Sequence, residues 1–379
     1  MLMGITPKDF DVATNARPEE VKKLFRHCRL IGKRFRLAHV VFGREIIEVA
    51  TFRKSASKHK KQVRTNGNGM LVSDNSFGRL EDDVWRRDFT VNALYYDARD
   101  EVVIDYVEGV KDLVHAQFRI MGDPATRYRE DPVRMLRAIR LISKLSIQPD
   151  SATAAPLPSM AHLLAEISTS RLFEELLKML YRGKALENVK LMADFGILPY
   201  LLPVTAKAMQ KNGGLSHLSQ LALKNTDDRI NRGLSINPAF LLSVLLWELL
   251  QEREQAFLKQ KHRPLIAFRM AIDDVLSEQL LVTSIPKRIT LMMKEIWRLQ
   301  FPLASLRHKQ AHVLVRQKRF RAAYDFMLLR AESGEPFQKV ADWWTHYQTL
   351  NDDERLAYVA TLPEEGNLKK ADAEGSNDA

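Results

Sequence analysis

The chain has 379 residues, 45% of them hydrophobic, and carries a formal net charge of +11. That length supports two or three units with sizeable cores, and the basic balance favours a polyanionic partner, nucleic acid before membrane. One cysteine, Cys28, excludes an internal disulfide framework or cysteine-based zinc cluster and fits a reducing cytosol. No apolar run reaches the length of a membrane span, since Ala239–Leu250 is short and interrupted by Glu248, and the first residues lack the pattern of an export signal.

Met1-Leu2-Met3-Gly4 reads as the last turn of a helix with a glycine stop. Lys8-Asp9-Phe10-Asp11-Val12 then reads as a strand. Residues two apart on a strand share a face, so Asp9 and Asp11 are expected side by side, with Phe10 and Val12 turned to a core. Such a carboxylate pair suits hard cations such as Mg²⁺, two of which at about 3.5–4 Å serve in-line phosphoryl transfer. An Asp-x-Asp by itself is far more often an acidic surface turn or a solvated strand edge.

A helix is predicted from Pro18 to His27, then strands over Arg29–Val41 and Glu45–Phe52 joined at Gly43-Arg44. Glu48, inside the second strand, is either a metal ligand or an outward-facing solvated glutamate. Residues 53–79 form a polar loop whose Lys54, Lys58, Lys60, Lys61 and Arg64 are either simply solvated or placed to meet phosphates. Asp88–Tyr96 and Val102–Val107 alternate like a hairpin, giving a mixed α/β unit with a mostly antiparallel look. In Arg86-Arg87-Asp88, the acid would complete a metal-binding set while the guanidiniums suit phosphate; the alternative is a surface ion pair.

From Asp131 onwards the period is helical. Helices are predicted over Pro132–Lys144, Leu172–Tyr181 (capped by Ser170), Ala185–Phe195, Gly214–Lys224, Pro238–Arg253, Pro264–Leu281, Ile289–Leu299 and His308–Ala331. No fixed repeat is visible, so a solenoid is not expected. Asp131 precedes a helix opened by Pro132 and shares a face with Arg134 and Arg137. That arrangement can read a base edge beside phosphate, or be an ordinary capped helix with a salt-bridged face. The last segment, from about Pro363, has the composition of a disordered tail.

Asp9-x-Asp11, Arg86-Arg87-Asp88-Phe89-Thr90-x-Asn92-Ala93-Leu94 and Glu130-Asp131-x-x-Arg134-x-x-Arg137-Ala138 occur in that order. Together they resemble the bacterial tRNA nucleotidyltransferase/poly(A) polymerase family of the DNA polymerase beta superfamily. Leu30–Val40 resembles the signature of the poly(A) polymerase branch. So do Asn225-Thr226-Asp227-Asp228-Arg229, Ile236-Asn237-Pro238-Ala239-Phe240, Ile285-Pro286-Lys287-Arg288 and Phe320-Arg321-Ala322-Ala323-Tyr324-Asp325.

The resemblance implies an α+β fold: a small mixed-sheet nucleotidyltransferase head over 1–115, then an all-α neck over 116–203 and body over 204–350, with a disordered tail over 351–379. It implies template-independent transfer of AMP from ATP to RNA 3′ ends, with two Mg²⁺ at Asp9 and Asp11 and Asp88 as the third acid. Arg86, Arg87 and Asn92 would hold the nucleotide. Asp131, Arg134 and Arg137 would read the adenine, braced by a motif like that of Arg171 and Glu174. The same likeness leaves CCA addition to tRNA, or a decayed RNA-binding relative, as alternatives. Two departures stand out. Met1–Gly4 matches only the end of the family's Gly-Gly-x-x-Arg-Asp element, so an internal start or truncation is expected, leaving the head without its first strand and phosphate cradle. The tail is not arginine-rich.

Overall fold

Val12–Thr14 (β1), Cys28–Ile31 (β2), Leu37–Phe42 (β3) and Glu45–Thr51 (β4) form a sheet in the order β1-β4-β3-β2. They belong to a computed structural model that describes residues 2–4, 10–32, 36–54, 64–65, 71–73, 77–305 and 310–360. β2, β3 and β4 run antiparallel; β1 joins β4 in parallel, with Val12 opposite Val49 and Thr14 opposite Thr51. Alternation along β4 turns Val49 and Thr51 inward and leaves Glu48 exposed. Helix α1 (Pro18–Leu24) covers the inward face, packing Val21 on Cys28, Ala38, Val40 and Val49. It starts where the Arg17 N–H donates to Glu20 Oε2 at 2.7 Å, and it ends before the predicted His27 because Phe25 turns extended.

The single strand predicted over Arg29–Val41 is two strands that turn at Gly32, whose φ of +85° a side chain would resist. Of the basic loop, Arg64–Thr65 and Leu71–Ser73 pair as a short antiparallel ribbon, while Lys58, Lys60 and Lys61 lie outside the described residues.

Helix α2 (Leu80–Arg86) leads into the stretch predicted as one strand over Asp88–Tyr96. It is a strand only at Tyr95–Asp97, paired with Val102–Ile104; before that, Thr90–Asn92 is a 3₁₀ turn. The turn wins because side-chain partners lie across it. Thr90 Oγ1 donates to Asp112 Oδ2 at 2.5 Å, and Thr90 N–H to the Arg119 carbonyl at 2.9 Å. Asp112 belongs to α3 (Gly109–Val114), and α3 lies so close that a Cβ on Gly109 would sit 2.5 Å from the Thr90 oxygen. Helices α4 (Pro124–Glu130) and α5 (Val133–Leu145) then bury Tyr128, Met135, Leu136 and Ile139. Beside them Phe89 meets Phe118 edge to face at 5.2 Å.

Backbone packing divides the chain into two units, Met1–Ile167 with Asp194–Ile197, and Ser168–Ala193 with Leu198–Ala379. The second unit is helical throughout its described residues. Its helix ends differ from the predicted ones at particular caps. The first helix is Thr169–Leu180, so Ser170 lies inside it rather than capping it. His217–Asn231 is capped by Ser216, whose hydroxyl accepts the Ser219 N–H at 3.1 Å. Pro238–Arg253 breaks at Leu246 into Pro238–Leu245 and Trp247–Lys259. His308–Ala331 becomes Ala311–Val315 and Phe320–Glu332. A helix at Asp352–Ala360 occupies the start of the stretch expected to be tail.

Buried Trp297, Phe268, Phe326 and Trp344 anchor this unit. Buried Arg330 is held by Glu335 at 2.7 Å and by Gln300 at 3.1 Å, with its guanidinium 4.8 Å above the Trp247 ring. No helix among the described residues is long and apolar enough to cross a membrane.

Candidate active site

The arginine pair Arg86-Arg87 stands on the last turn of α2, and the same helix supplies its anchor. Asp83 lies three and four residues earlier, so all three share one side of the helix. Asp83 Oδ1 receives Arg86 at 3.2 Å and Oδ2 receives Arg87 at 3.0 Å; Oδ2 also accepts the Tyr95 hydroxyl at 2.5 Å, and Oδ1 the Arg53 N–H at 3.0 Å. Burial opposes the charge on Asp83, but the Tyr95 hydroxyl and the two guanidiniums outweigh it, and the carboxyl titrates below its ordinary range. Burial, with Asp83 beside it, pushes the Tyr95 phenol up to about 12. The Asp83 side chain is only 3% exposed while Arg86 and Arg87 keep 29% and 37%, so the acid is sealed and the cations still reach solvent.

Asp88 follows on the chain and is also buried. Oδ1 accepts its neighbour Phe89 N–H at 2.9 Å and the Asn92 amide at 3.1 Å, and Oδ2 is in direct contact with the Arg137 guanidinium. Burial disfavours the carboxylate, yet Arg137 and Asn92 hold its pKa below the ordinary value. The sequence expectation was of a third acid open to metal. In the structure both oxygens are engaged, and the acid contacts Arg137, whose side chain is 49% exposed. Three of the predicted residues, Asp88, Asn92 and Arg137, are thus brought together by contacts the spacing alone did not indicate.

Arg134 and Arg137 were expected on one face with Asp131, but they part company. Arg134 is buried, donating to the Arg127 carbonyl at 2.6 Å and to Glu130 at 3.1 Å. Arg127 in turn donates to the carbonyls of Arg86 and Arg87 at 3.0 and 2.6 Å, satisfying the end of α2. Burial and the nearby Arg134 lower the pKa of Arg127. Asp131 joins α4 to α5, its carboxylate accepting the Val133 N–H at 3.4 Å and its carbonyl the Arg134 N–H at 3.0 Å. It remains half-exposed.

Asp9 lies outside the described residues, and Asp11 is exposed directly before β1. Parallel pairing places Val12 opposite Val49, so Asp11 and Glu48 each stand one step before a paired residue on adjacent strands. Glu48 also faces His39 across β3 and β4, with Nε2 to Oε1 at 3.1 Å. Carboxylate oxygens at one level of neighbouring strands are the donor chemistry a hard divalent cation wants. No cluster of three or more metal-ligating side chains is formed among the described residues alone.

Asp83, Tyr95 and Arg127 were missed in the sequence, and Glu130 was part of a motif without a role assigned to it. Helical spacing to Arg86 and Arg87 could have revealed Asp83. Nothing local marks Tyr95 or Arg127.

Comparison with known proteins gives three family matches. Residues 1–119 match "Poly A polymerase head domain", 146–209 match "Probable RNA and SrmB-binding site of polymerase A", and 260–375 match "Polymerase A arginine-rich C-terminus". The last match reaches residue 375, while from 351 onward the sequence holds a single arginine, Arg355, as the sequence reading has it. Poly(A) polymerase I of Escherichia coli O6:H1 (strain CFT073) is 44% identical over 378 residues, covering 98% of this chain and 81% of that protein. That of Haemophilus influenzae is 41% identical over 366 residues, covering 94% and 80%. A CCA-adding enzyme of Bacillus velezensis is 30% identical over 256 residues, covering 68% and 60%. Among solved structures, the Bacillus stearothermophilus CCA-adding enzyme in complex with CTP superposes with a TM-score of 0.58 at 23% identity, covering 98% of this chain and 83% of that one, a likeness of fold.

Proposed function

The chain belongs to the poly(A) polymerase I family, and on that premise we propose that it is a template-independent polynucleotide adenylyltransferase adding AMP from ATP to RNA 3′ ends. The observation that carries this reading is identity of 41–44% to poly(A) polymerases I over nearly the whole chain, against 30% over 68% of it for the CCA-adding relative. The RNA 3′-hydroxyl attacks the α-phosphorus of ATP in line and pyrophosphate leaves.

Asp9 and Asp11 would hold Mg²⁺, with Glu48 on the adjacent strand as the described carboxylate best placed to join them. Bound there, the metal would lower the pKa of the hydroxyl and neutralise charge on the leaving group. The protein's own groups do the positioning. Asp83 holds Arg86 and Arg87 toward solvent, where their free donors can meet phosphate oxygens. Asp88 orients Arg137, and the half-exposed Asp131 would meet a base edge. Basic helices track the RNA backbone through salt-sensitive contacts. The single cysteine, buried and unpaired Cys28, suits the cytosol, where we place the protein.

The test supplies ATP or CTP separately with a non-tRNA oligonucleotide and with tRNA lacking its 3′ end. Long A-tails on the oligonucleotide are expected. CTP incorporation confined to tRNA would replace this reading with CCA addition.

A further inference from the structure

A cavity of about 750 Å³ opens within the helical unit. Three stretches without a role in the chemistry above converge on it: Asn225–Arg229, Ile236–Phe240 and Arg321–Asp325. Its apolar side is formed by residues such as Phe240 and Met292, and four cationic side chains line it against two carboxylates. The walls are fixed by tertiary contacts. Asp227 accepts the Ala185 and Leu186 N–H groups at 2.6 and 3.1 Å, tying helix 217–231 to the start of helix 185–194. Gly183, at φ +78°, passes so close to Asn231 that a Cβ there would meet Oδ1 at 2.2 Å.

Two features point to a ligand. Tyr181 lines the cavity, and its hydroxyl is buried and without a hydrogen-bond partner among the described residues. Leaving such a group unsatisfied is costly, and no contact among the described residues offsets it. The lining is also chemically mixed. An aromatic ring, amide donors and acceptors, and guanidinium and ammonium groups lie around one hollow, which is the set that takes a nucleobase with its phosphate. A second hollow of about 460 Å³ shares Lys318 and Arg319 with the first and adds Arg298. The cationic lining therefore continues past one nucleotide, as a strand requires and a free mononucleotide does not.

We propose that this cavity is a nucleotide subsite for the RNA strand. One base enters against Phe240 with its edge at Asn225 and Tyr181, and the flanking phosphates meet Arg229, Lys318 and Arg321. Tyr181 lies in the segment matching the family's RNA-binding region, whereas the remaining residues lie outside it. The choice of RNA as the polyanion rests on the adenylyltransferase reading.

The test uses the full chain and a fluorescein-labelled oligoadenylate about 15 nucleotides long. Tyr181→Phe, which removes only the unpartnered hydroxyl, and Asn225→Ala are each expected to weaken binding about 3–10-fold. Lys318→Gln should weaken it and reduce the salt slope by about 1. AMP incorporation at saturating RNA and ATP should stay unchanged while the KM for RNA rises. An oligoadenylate carrying 8-azidoadenosine should crosslink to peptides containing Tyr181 or 225–240. Unchanged affinity in all three variants, with crosslinks elsewhere, would overturn the proposal. Weakened binding of AMP alone, with RNA binding intact, would overturn it in favour of a free-nucleotide site. If the wild-type chain failed to incorporate AMP yet bound RNA through these residues, the subsite would stand and the enzymatic reading would fall.

Discussion

The guanidinium of Arg137, in the middle of α5, reaches back to the buried carboxylate of Asp88, 49 residues earlier in the chain. Asp88 is in turn fixed by Asn92 and by the Phe89 N–H. One acid thereby joins the end of α2, the 3₁₀ turn and α5, and presents a half-exposed cation from a rigid mount. Asp83 does the same for Arg86 and Arg87.

Removing the Asp88 carboxylate should therefore act on both stability and nucleotide binding. Asp88→Ala leaves Asn92, a backbone N–H and Arg137 without their acceptor, and an expected loss of about 2–4 kcal/mol should appear in urea melts. Arg137→Ala should raise the KM for ATP. A double-mutant cycle between the two should give a coupling well above 1 kcal/mol; additive effects would mean that the contact does not orient the arginine.

Acid should destabilise the first unit through the same two residues. Asp83 and Asp88 both have pKa values lowered in the folded protein from an ordinary 3.8. A depressed folded pKa contributes stability that is present above the unfolded value and is lost as pH falls through the folded one. Urea midpoints should thus decline as pH drops below about 4. In Asp88→Asn that acid limb should flatten, and an unchanged slope would show that the pair does not carry it.

The carboxylates at β1 and β4 should separate chemistry from binding. Asp9→Ala and Asp11→Ala are expected to reduce AMP incorporation to background while oligoadenylate binding in a filter assay stays intact. Glu48→Gln should lower incorporation and shift its Mg²⁺ dependence to higher concentration. Full activity in Asp11→Ala would refute the metal assignment.

Gly109→Ala tests the turn beneath the arginines. The new methyl would lie 2.5 Å from the Thr90 oxygen, a backbone atom that cannot step aside cheaply. The variant should lose about 1–3 kcal/mol and several degrees of Tm, with reduced activity following the displaced 88–92 segment. A melting curve that matches the wild type would show that α3 and the turn can move apart.

Conservative changes at Tyr95 should be milder. Tyr95→Phe removes one donor from Asp83 while both arginines remain, so about 1 kcal/mol is expected. The KM for ATP should rise less than in Asp83→Asn, and steady-state kinetics on both variants would measure the difference.

Much of the local structure is readable from residue order. The period along 133–145 yields α5 almost to the residue, because a helix exposes and buries positions by its own 3.6-residue repeat. β4 is equally plain, since Val49 and Thr51 alternate with Glu48. The three motifs sufficed to mark the family. Boundaries failed where a cap or partner from elsewhere decided them: at Gly32, where one predicted strand became two, and at Ser216, which starts a helix later than predicted.

Sequence by itself determined which side chains carry charge and, for α5 and β4, which element bears them, since propensity and periodicity are properties of neighbouring residues. Only the tertiary structure decided that Asp88 is sealed against Arg137, that Arg134 turns inward to Glu130 while Arg137 turns out, and that Tyr181, Asn225 and Arg321 line one hollow. Those outcomes depend on distances between residues far apart along the chain, and such distances are fixed by packing and burial rather than by spacing.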